Sequence, residues 1–129
     1  MMSKVILDAS ALLALIKNEP GASILEDMLG RIVMSSLSLS EAATTLLKFD
    51  MTLQESEECL LPLISQLIPF DTSHALLTAN LTKQLKDKDL SLEARACLAL
   101  GMEMGLPIYT ADQRWADLGL TNVDVRLIQ

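Results

Sequence analysis

The stretch Lys4-Val5-Ile6-Leu7-Asp8-Ala9-Ser10-Ala11-Leu12-Leu13-Ala14-Leu15-Ile16 changes its period midway, and that change decides the fold. Lys4 to Leu7 is a short β-branched and aliphatic run, the pattern of a strand buried on both faces. Ser10 is placed to cap a helix through Ala11–Ile16. The same alternation recurs along the chain. Pro20-Gly21 precedes a second short helix over 23–29, closed by Gly30, and Arg31-Ile32-Val33-Met34 reads as a second strand. Ser38 or Ser40 is expected to cap a helix carrying Glu41 through Lys48. Thr52 opens the next helix, with Glu55, Glu57 and Glu58 in its first turns, where the helix dipole favours acids; it is expected to run to about Gln66. Leu67-Ile68-Pro69-Phe70 reads as a third strand, and Asp71 or Thr72 caps a helix to about Leu85. After a polar loop at 86–89, Ser91 caps a long apolar helix through Met104, ended by Gly105 with Pro107 just beyond. Ile108-Tyr109-Thr110 is a fourth strand, and Val123 to Ile128 a fifth at the edge. Short apolar strands alternating with helices of about 10 to 15 residues are the signature of a parallel sheet covered on both faces. The expectation is an α/β fold: a single domain over 1–129, with four to five short parallel strands between two helical layers.

Composition agrees with such a core. Half of the 129 residues are hydrophobic and 21% are charged, a globular balance, while aromatics reach only 3%, so Leu, Ile, Ala and Met must fill the interior. Ten basic residues against 17 acidic ones leave a net charge of −7, which excludes a protein that coats nucleic acid over its whole surface. It leaves open a local basic strip, or a metal-dependent enzyme acting on phosphates. The early apolar run Ala11–Ile16 is far short of the roughly 20 residues of a membrane span. Asp8 interrupts what would otherwise imitate a secretory signal, so no membrane contact and a cytoplasmic location are expected. Cys59 and Cys97 belong to no paired motif and read as buried free thiols.

Parallel sheets present functional residues just past the carboxyl ends of their strands. Asp8 follows the first strand directly, and Asp112 follows the fourth after one alanine. Glu41 lies near the start of the helix after strand two, and Glu93 in the first turn of the helix feeding strand four. Four acids at one edge repel one another unless they share a cation, and oxygen donors of this kind suit Mg²⁺ or Mn²⁺. Capping alone would also account for Asp8 or Asp71. His74, the only histidine, reads as a surface or cap residue. No glycine-rich phosphate loop and no GxSxG elbow is present, which removes nucleotide-cradling and serine-hydrolase chemistry. Lys83, Lys86 and Lys88, joined by Arg95 and Arg114, are candidates for a basic strip beside the acids.

With these residues in hand, the chain resembles PIN-domain proteins, and among them the VapC toxins of bacterial toxin–antitoxin pairs. Val5-Ile6-Leu7-Asp8-Ala9-Ser10-Ala11-Leu12 is similar to the opening strand of that family, and Ser40-Glu41-Ala42 within 35–47 to its second acidic motif. Leu90-Ser91-Leu92 with Arg95-Ala96-Cys97-Leu98-Ala99-Leu100 resembles the third motif, and Leu106-Pro107-Ile108-Tyr109-Thr110-Ala111-Asp112 with Trp115 the fourth. The resemblance implies a PIN-like α/β/α fold and a Mg²⁺- or Mn²⁺-dependent endoribonuclease acting on tRNA or another structured RNA. It also implies a homodimer inhibited by a cognate VapB-like antitoxin, through which alone DNA would be contacted. By position, Asp8, Glu41 and Asp112 match metal-site and catalytic acids, and Ser10 and Thr110 match polar positions that orient a ligand or water. One position departs: Ala94 stands where the family carries its third acid, with Glu93 in the slot before it. Adjacent helical residues differ by about 100° in direction, so Glu93 is expected not to replace a carboxylate at 94 and cleavage to be weakened. Ala94 equally supports a different class, a non-catalytic PIN domain serving as an interaction module. A phosphatase of the aspartyl-phosphate type would want an acid where Ser10 stands.

Overall fold

In the computed structural model, which describes residues 2–129, the alternation resolves into one five-stranded sheet. In chain order the elements are β1 (Val5–Leu7), α1 (Ala9–Ile16), α2 (Ala22–Glu26), β2 (Ile32–Ser35), α3 (Ser36–Lys48), α4 (Leu53–Leu60), β3 (Gln66–Ile68), α5 (Thr72–Asn80), α6 (Leu92–Met104), β4 (Ile108–Thr110) and β5 (Val125–Leu127). The strands lie in the order β3-β2-β1-β4-β5 and every pairing is parallel. Successive side chains of a strand point to opposite faces, and the core divides accordingly. Val5, Leu7, Ile32, Met34 and Tyr109 pack with Leu12, Leu25, Leu46 and Leu60 of α1–α4. Ile6, Val33 and Ile108 pack with Leu98 and Leu100 of α6 and with Trp115 and Leu118 on the other face. The result is the three-layer α/β/α arrangement, with the fifth strand at the edge as the pattern implied.

Local chemistry sets most helix starts where the sequence placed them. Thr52 and Glu55 form a reciprocal capping box (Thr52 N–H to Glu55, 2.8 Å; Glu55 N–H to Thr52, 3.1 Å). Asp71 accepts from the His74 N–H (2.9 Å) and Ser91 from the Ala94 N–H (3.1 Å). Gly105 closes α6 with φ of 65°, a left-handed turn that glycine adopts without strain.

Several boundaries differ from the expectation, among them the end of α5, at Asn80 and not near Leu85, and the span of β5, Val125–Leu127 and not 123–128. Asp8, not Ser10, caps α1, which therefore starts at Ala9. Ser35 at the very end of β2 caps α3, so no loop separates strand from helix, and Ser38 and Ser40 lie inside the helix. The helix from Thr52 stops at Leu60 and continues only as a 3-10 turn over Leu61–Leu63, because Pro62 has no N–H to return to the preceding turn. Strand β3 ends before Pro69, and α2 is shorter than expected, ending at Glu26.

His74 is a further correction. It is only 2% exposed, its Nε2 lies 2.8 Å from the Ala96 carbonyl, and its ring packs against Phe70 with centroids 5.0 Å apart. A carbonyl only accepts, so this Nε2 carries the proton and the imidazole ties α5 to α6. Cys97 is buried and Cys59 half-buried, both as free thiols. Among the described residues no helix is long and apolar enough to cross a membrane.

Gly21 shows how tightly the layers close. Its φ is +93°, and a Cβ there would overlap the backbone carbonyl of Ile128 beyond β5. Gly21→Ala is therefore expected to lower stability by about 2 kcal/mol or more, combining left-handed strain with a steric clash. A urea midpoint unchanged from the parent would contradict this packing.

Candidate active site

The chain runs from β1 outward through β2 to β3, then crosses to the other side of β1 for β4 and β5. The carboxyl ends of β1 and β4 thus flank the point where strand order reverses, the usual place for a crevice in such sheets. Asp8 leaves β1 there and Asp112 leaves β4. A pocket of about 250 Å³ opens between them, and Glu41, Glu93, Ala94 and Arg114 also line it. A larger concavity of about 440 Å³ lies along 115–120 and β5, but Asp117 is its only ionisable lining residue.

Asp8 is held from three sides. Oδ1 accepts the Ala11 N–H (2.9 Å), and Oδ2 accepts the Thr110 hydroxyl from β4 (2.8 Å). The Ser10 hydroxyl lies 2.8 and 3.0 Å from the two carboxylate oxygens. The same hydroxyls also receive backbone donors: Ser10 Oγ accepts the Ala111 N–H and Thr110 Oγ1 accepts the Asp112 N–H, each at 3.0 Å. Ser10 and Thr110 therefore lock the orientation of Asp8 and stitch β1 to β4. Asp8 is 2% exposed, and burial pushes its carboxyl up to about 6. The Ala11 N–H and the Thr110 and Ser10 hydroxyls oppose that rise, and Asp112 adds a little to it.

The other acids reach different settlements. Asp112 caps the following turn and is gripped by Arg114, whose Nε lies 3.0 Å from Oδ1 and whose Nη2 lies 2.7 Å from Oδ2. That guanidinium holds the Asp112 carboxyl below its ordinary value. Glu93 is half-buried and accepts the Ser38 hydroxyl at 3.0 Å. Burial and then the neighbouring Asp8 push its carboxyl up to about 7, with Glu41 adding to the rise, while Ser38 and the Ala9 N–H oppose it. Glu41 is solvent-exposed on α3 and borders the pocket together with Thr45, one turn on. Ala94 is 5% exposed and sends its methyl into the core beneath the pocket.

The four acids read from the sequence as sharing one edge, Asp8, Glu41, Glu93 and Asp112, thus line one pocket, with Ser10 and Thr110 bonded to its most buried member. The hard oxygen donors there are Asp8, Glu41, Glu93 and Asp112, but among the described residues no three His, Cys, Asp or Glu side chains form a group that could hold an ion by itself. Of the basic strip only Arg114 reaches the pocket, where it pairs with Asp112; Arg95 donates to Thr82 (3.3 Å), and Lys83, Lys86 and Lys88 are absent from the lining. Ser38 is a residue of this site that sequence reasoning assigned wrongly. It serves as a buried donor to Glu93 and not as a cap, and its partner 55 positions away left no local signal.

The fold and pocket define an α/β protein that presents carboxylates at the switch point of a parallel sheet. The sequence model of the PIN domain matches residues 5–120, and the chain belongs to the PIN-domain family. No curated protein matches the chain in sequence. Among solved structures it is similar to the DNA-bound VapBC of Salmonella typhimurium, at 18% identity and a TM-score of 0.77 over 99% of this chain and 100% of that one. VapBC2 of Rickettsia felis, bound to a fragment of promoter DNA, shares 15% identity with a TM-score of 0.74 over 95% and 97% of the two chains. VapC20 of Mycobacterium tuberculosis, described as a sarcin-ricin loop cleaving toxin, shares 14% identity with a TM-score of 0.75 over 94% and 99%. At such identities the likeness is one of fold.

The raised carboxyls fix the sign of a pH dependence. Asp8 (ordinary value 3.8) and Glu93 (4.5) bind protons more tightly in the folded chain than in the unfolded one. Their support for folding is complete below about pH 4 and is lost as pH rises through about 6 and 7. In chelator-treated buffer, Tm should therefore fall between about pH 5 and pH 8, and the fall should be shallower in Asp8→Asn, where the cap survives but the charge does not. Equal slopes in parent and variant would contradict the burial of an uncompensated Asp8 charge.

Proposed function

We propose that this chain is a Mg²⁺- or Mn²⁺-dependent endoribonuclease, the toxin of a toxin–antitoxin pair, which hydrolyses phosphodiester bonds in tRNA or another structured RNA. The observation that carries this reading is Asp8. It is a nearly fully buried carboxylate whose partners are all neutral donors, in a pocket whose only cation among the described residues is already bound to Asp112. An uncompensated buried charge of this kind is stabilised by an ion. The donor set is entirely oxygen, and its acids line an open pocket without closing into a cage. That suits a hard divalent cation held by a few carboxylates and completed by water and phosphate oxygens. Similarity of fold to a toxin described as cleaving the sarcin-ricin loop supports the RNA substrate.

Asp8, Asp112 and Glu41 are the residues that would hold the ion. When bound, it lowers the pKa of a water and stabilises charge on the phosphate undergoing attack. The protein's own part is positioning. Ser10 and Thr110 fix the direction of the Asp8 carboxylate, so no side-chain reorganisation is required on substrate binding. Arg114 is 69% exposed, free to exchange Asp112 for a substrate phosphate, and its planar fork suits either group. Ala94 removes one oxygen donor from the set found in the family, so cleavage is slower than in a chain with an acid at 94. That same alanine favours the second reading, an interaction module without catalysis.

The partner reading rests on charge and shape. An acidic pocket on a protein of net charge −7 suits a basic antitoxin tail whose arginine pairs with the carboxylates and displaces the ion. A groove of about 350 Å³ between α3 and α4, lined by Leu39, Ala43, Leu53, Leu60 and Leu61, offers apolar area for such a partner. The solved VapBC complexes of similar fold, two of them DNA-bound, support an antitoxin partner through which DNA is contacted. The homodimer belongs to this proposal as what the family resemblance implies. No membrane partner is proposed, and the site of action is the cytoplasm.

The decisive assay offers tRNA and ribosomal RNA with Mg²⁺ or Mn²⁺ to the parent, Asp8→Asn and Ala94→Asp. The parent should cut slowly and Ala94→Asp faster, while Asp8→Asn should fall by about two orders of magnitude or more. Metal-independent cleavage, or full activity in Asp8→Asn, would overturn the nuclease reading. Silence from all three together with tight antitoxin binding would favour the interaction module.

A further inference from the structure

We infer that Glu93 has taken over the metal-facing role of the absent acid at position 94, the ligand having moved one residue toward the start of α6. This inference rests on the metal-dependent reading above and deepens it.

The geometry carries it. Ser91 caps α6, so Glu93 and Ala94 both lie in the first helical turn, and both line the pocket that holds Asp8. The rotation of about 100° between neighbours matters less at a helix end that itself forms the pocket wall than along a helix flank. Glutamate also carries one methylene more than aspartate, which extends its reach across that angle. The side chain is not turned to solvent. It is half-buried, its Oε2 is bonded to Ser38, which is fully buried in α3, and it faces the Ala9 N–H at the start of α1, next to Asp8. Ser38 thus anchors a carboxylate from α6 beside the one from β1.

A purely local role explains none of this. An acid in a first turn improves the helix dipole from a solvated position, and here solvent lay open in the other direction, as exposed Leu92 demonstrates. Burying a second carboxylate next to Asp8 opposes folding of the metal-free chain, and a shared cation reverses that effect. Oε2 accepts the Ser38 hydroxyl, and the other influence on this carboxylate is the Ala9 N–H, so no cation neutralises it among the described residues.

The test is Mn²⁺ binding to the full chain, followed by the loss of the free-ion EPR signal and by calorimetry, without RNA. The parent, Asp8→Asn, Glu93→Gln, Ala94→Asp and the double variant Glu93→Gln with Ala94→Asp are compared, with urea midpoints reporting that each is folded. Glu93→Gln keeps the shape and the Ser38 contact, so weakened binding is not a folding artefact. The expected result is that Asp8→Asn loses Mn²⁺ and that Glu93→Gln binds at least about tenfold more weakly. Ala94→Asp should restore affinity when added to Glu93→Gln. If Asp8→Asn loses the ion while Glu93→Gln binds like the parent, Glu93 is no ligand although the metal reading stands. Glu93 is equally excluded as a ligand if the parent fails to bind and Ala94→Asp binds. If Asp8→Asn and the parent bind alike, or no variant binds, the metal reading itself fails and takes this inference with it.

Discussion

The hydrogen bonds to the Asp8 carboxylate are the constraint on which this edge of the molecule depends. One side chain ends β1, caps α1 through the Ala11 N–H, and joins β1 to β4 through Thr110. Capping α1 while accepting the Thr110 hydroxyl from β4 holds Asp8 between helix and sheet, and its burial follows from doing both at once. The three neutral donors offset only part of the desolvation, which leaves the carboxyl raised. Asp112 and Glu93 meet the same problem differently, one with a guanidinium at the rim and the other with a single buried hydroxyl. The pocket is therefore acidic in layers: a paired acid outside, an uncompensated pair within.

Much of this was legible in the sequence. The sheet declares itself because the central strands β1, β2 and β4 are short, largely apolar runs bounded by polar or turn residues, and because cap residues stand where helices begin. Asp8 and Asp112 are legible because they follow strands immediately, where parallel sheets open. What escaped were the choices made between elements. Asp8 and Ser10 are both good caps, and Asp8 is selected because Ser10 is needed to receive the Ala111 N–H from a segment 101 positions away. Ser38 and Ser40 look like caps until Ser35, still in strand conformation, closes α3 first. His74 has the surroundings of a surface residue in sequence and becomes internal only because α5 lies on α6. The direction of Glu93 depends on Ser38 across the pocket, and one-dimensional spacing along a helix carries no trace of it.

The direct passage from β2 to α3 has its own effect. With Ser35 serving both strand and helix, the rotational phase of α3 is tied to the sheet, and Glu41 reaches the pocket rim without an intervening loop to adjust it. The loop preceding α6 is different in kind. Residues 84–90 are mostly polar and exposed, so the acid-bearing turn after them hangs on Ser91 and on the Ser38 bond more than on covalent geometry.

Trp115 is the only tryptophan in the chain, it is 2% exposed, and it lines the pocket immediately after Arg114. An indole in that position is a native optical probe: its emission is set by the dryness of the pocket wall and by the charge carried next to it. Whatever separates Arg114 from Asp112 alters the field at this single chromophore, so events at the carboxylates are readable in intrinsic fluorescence without a label.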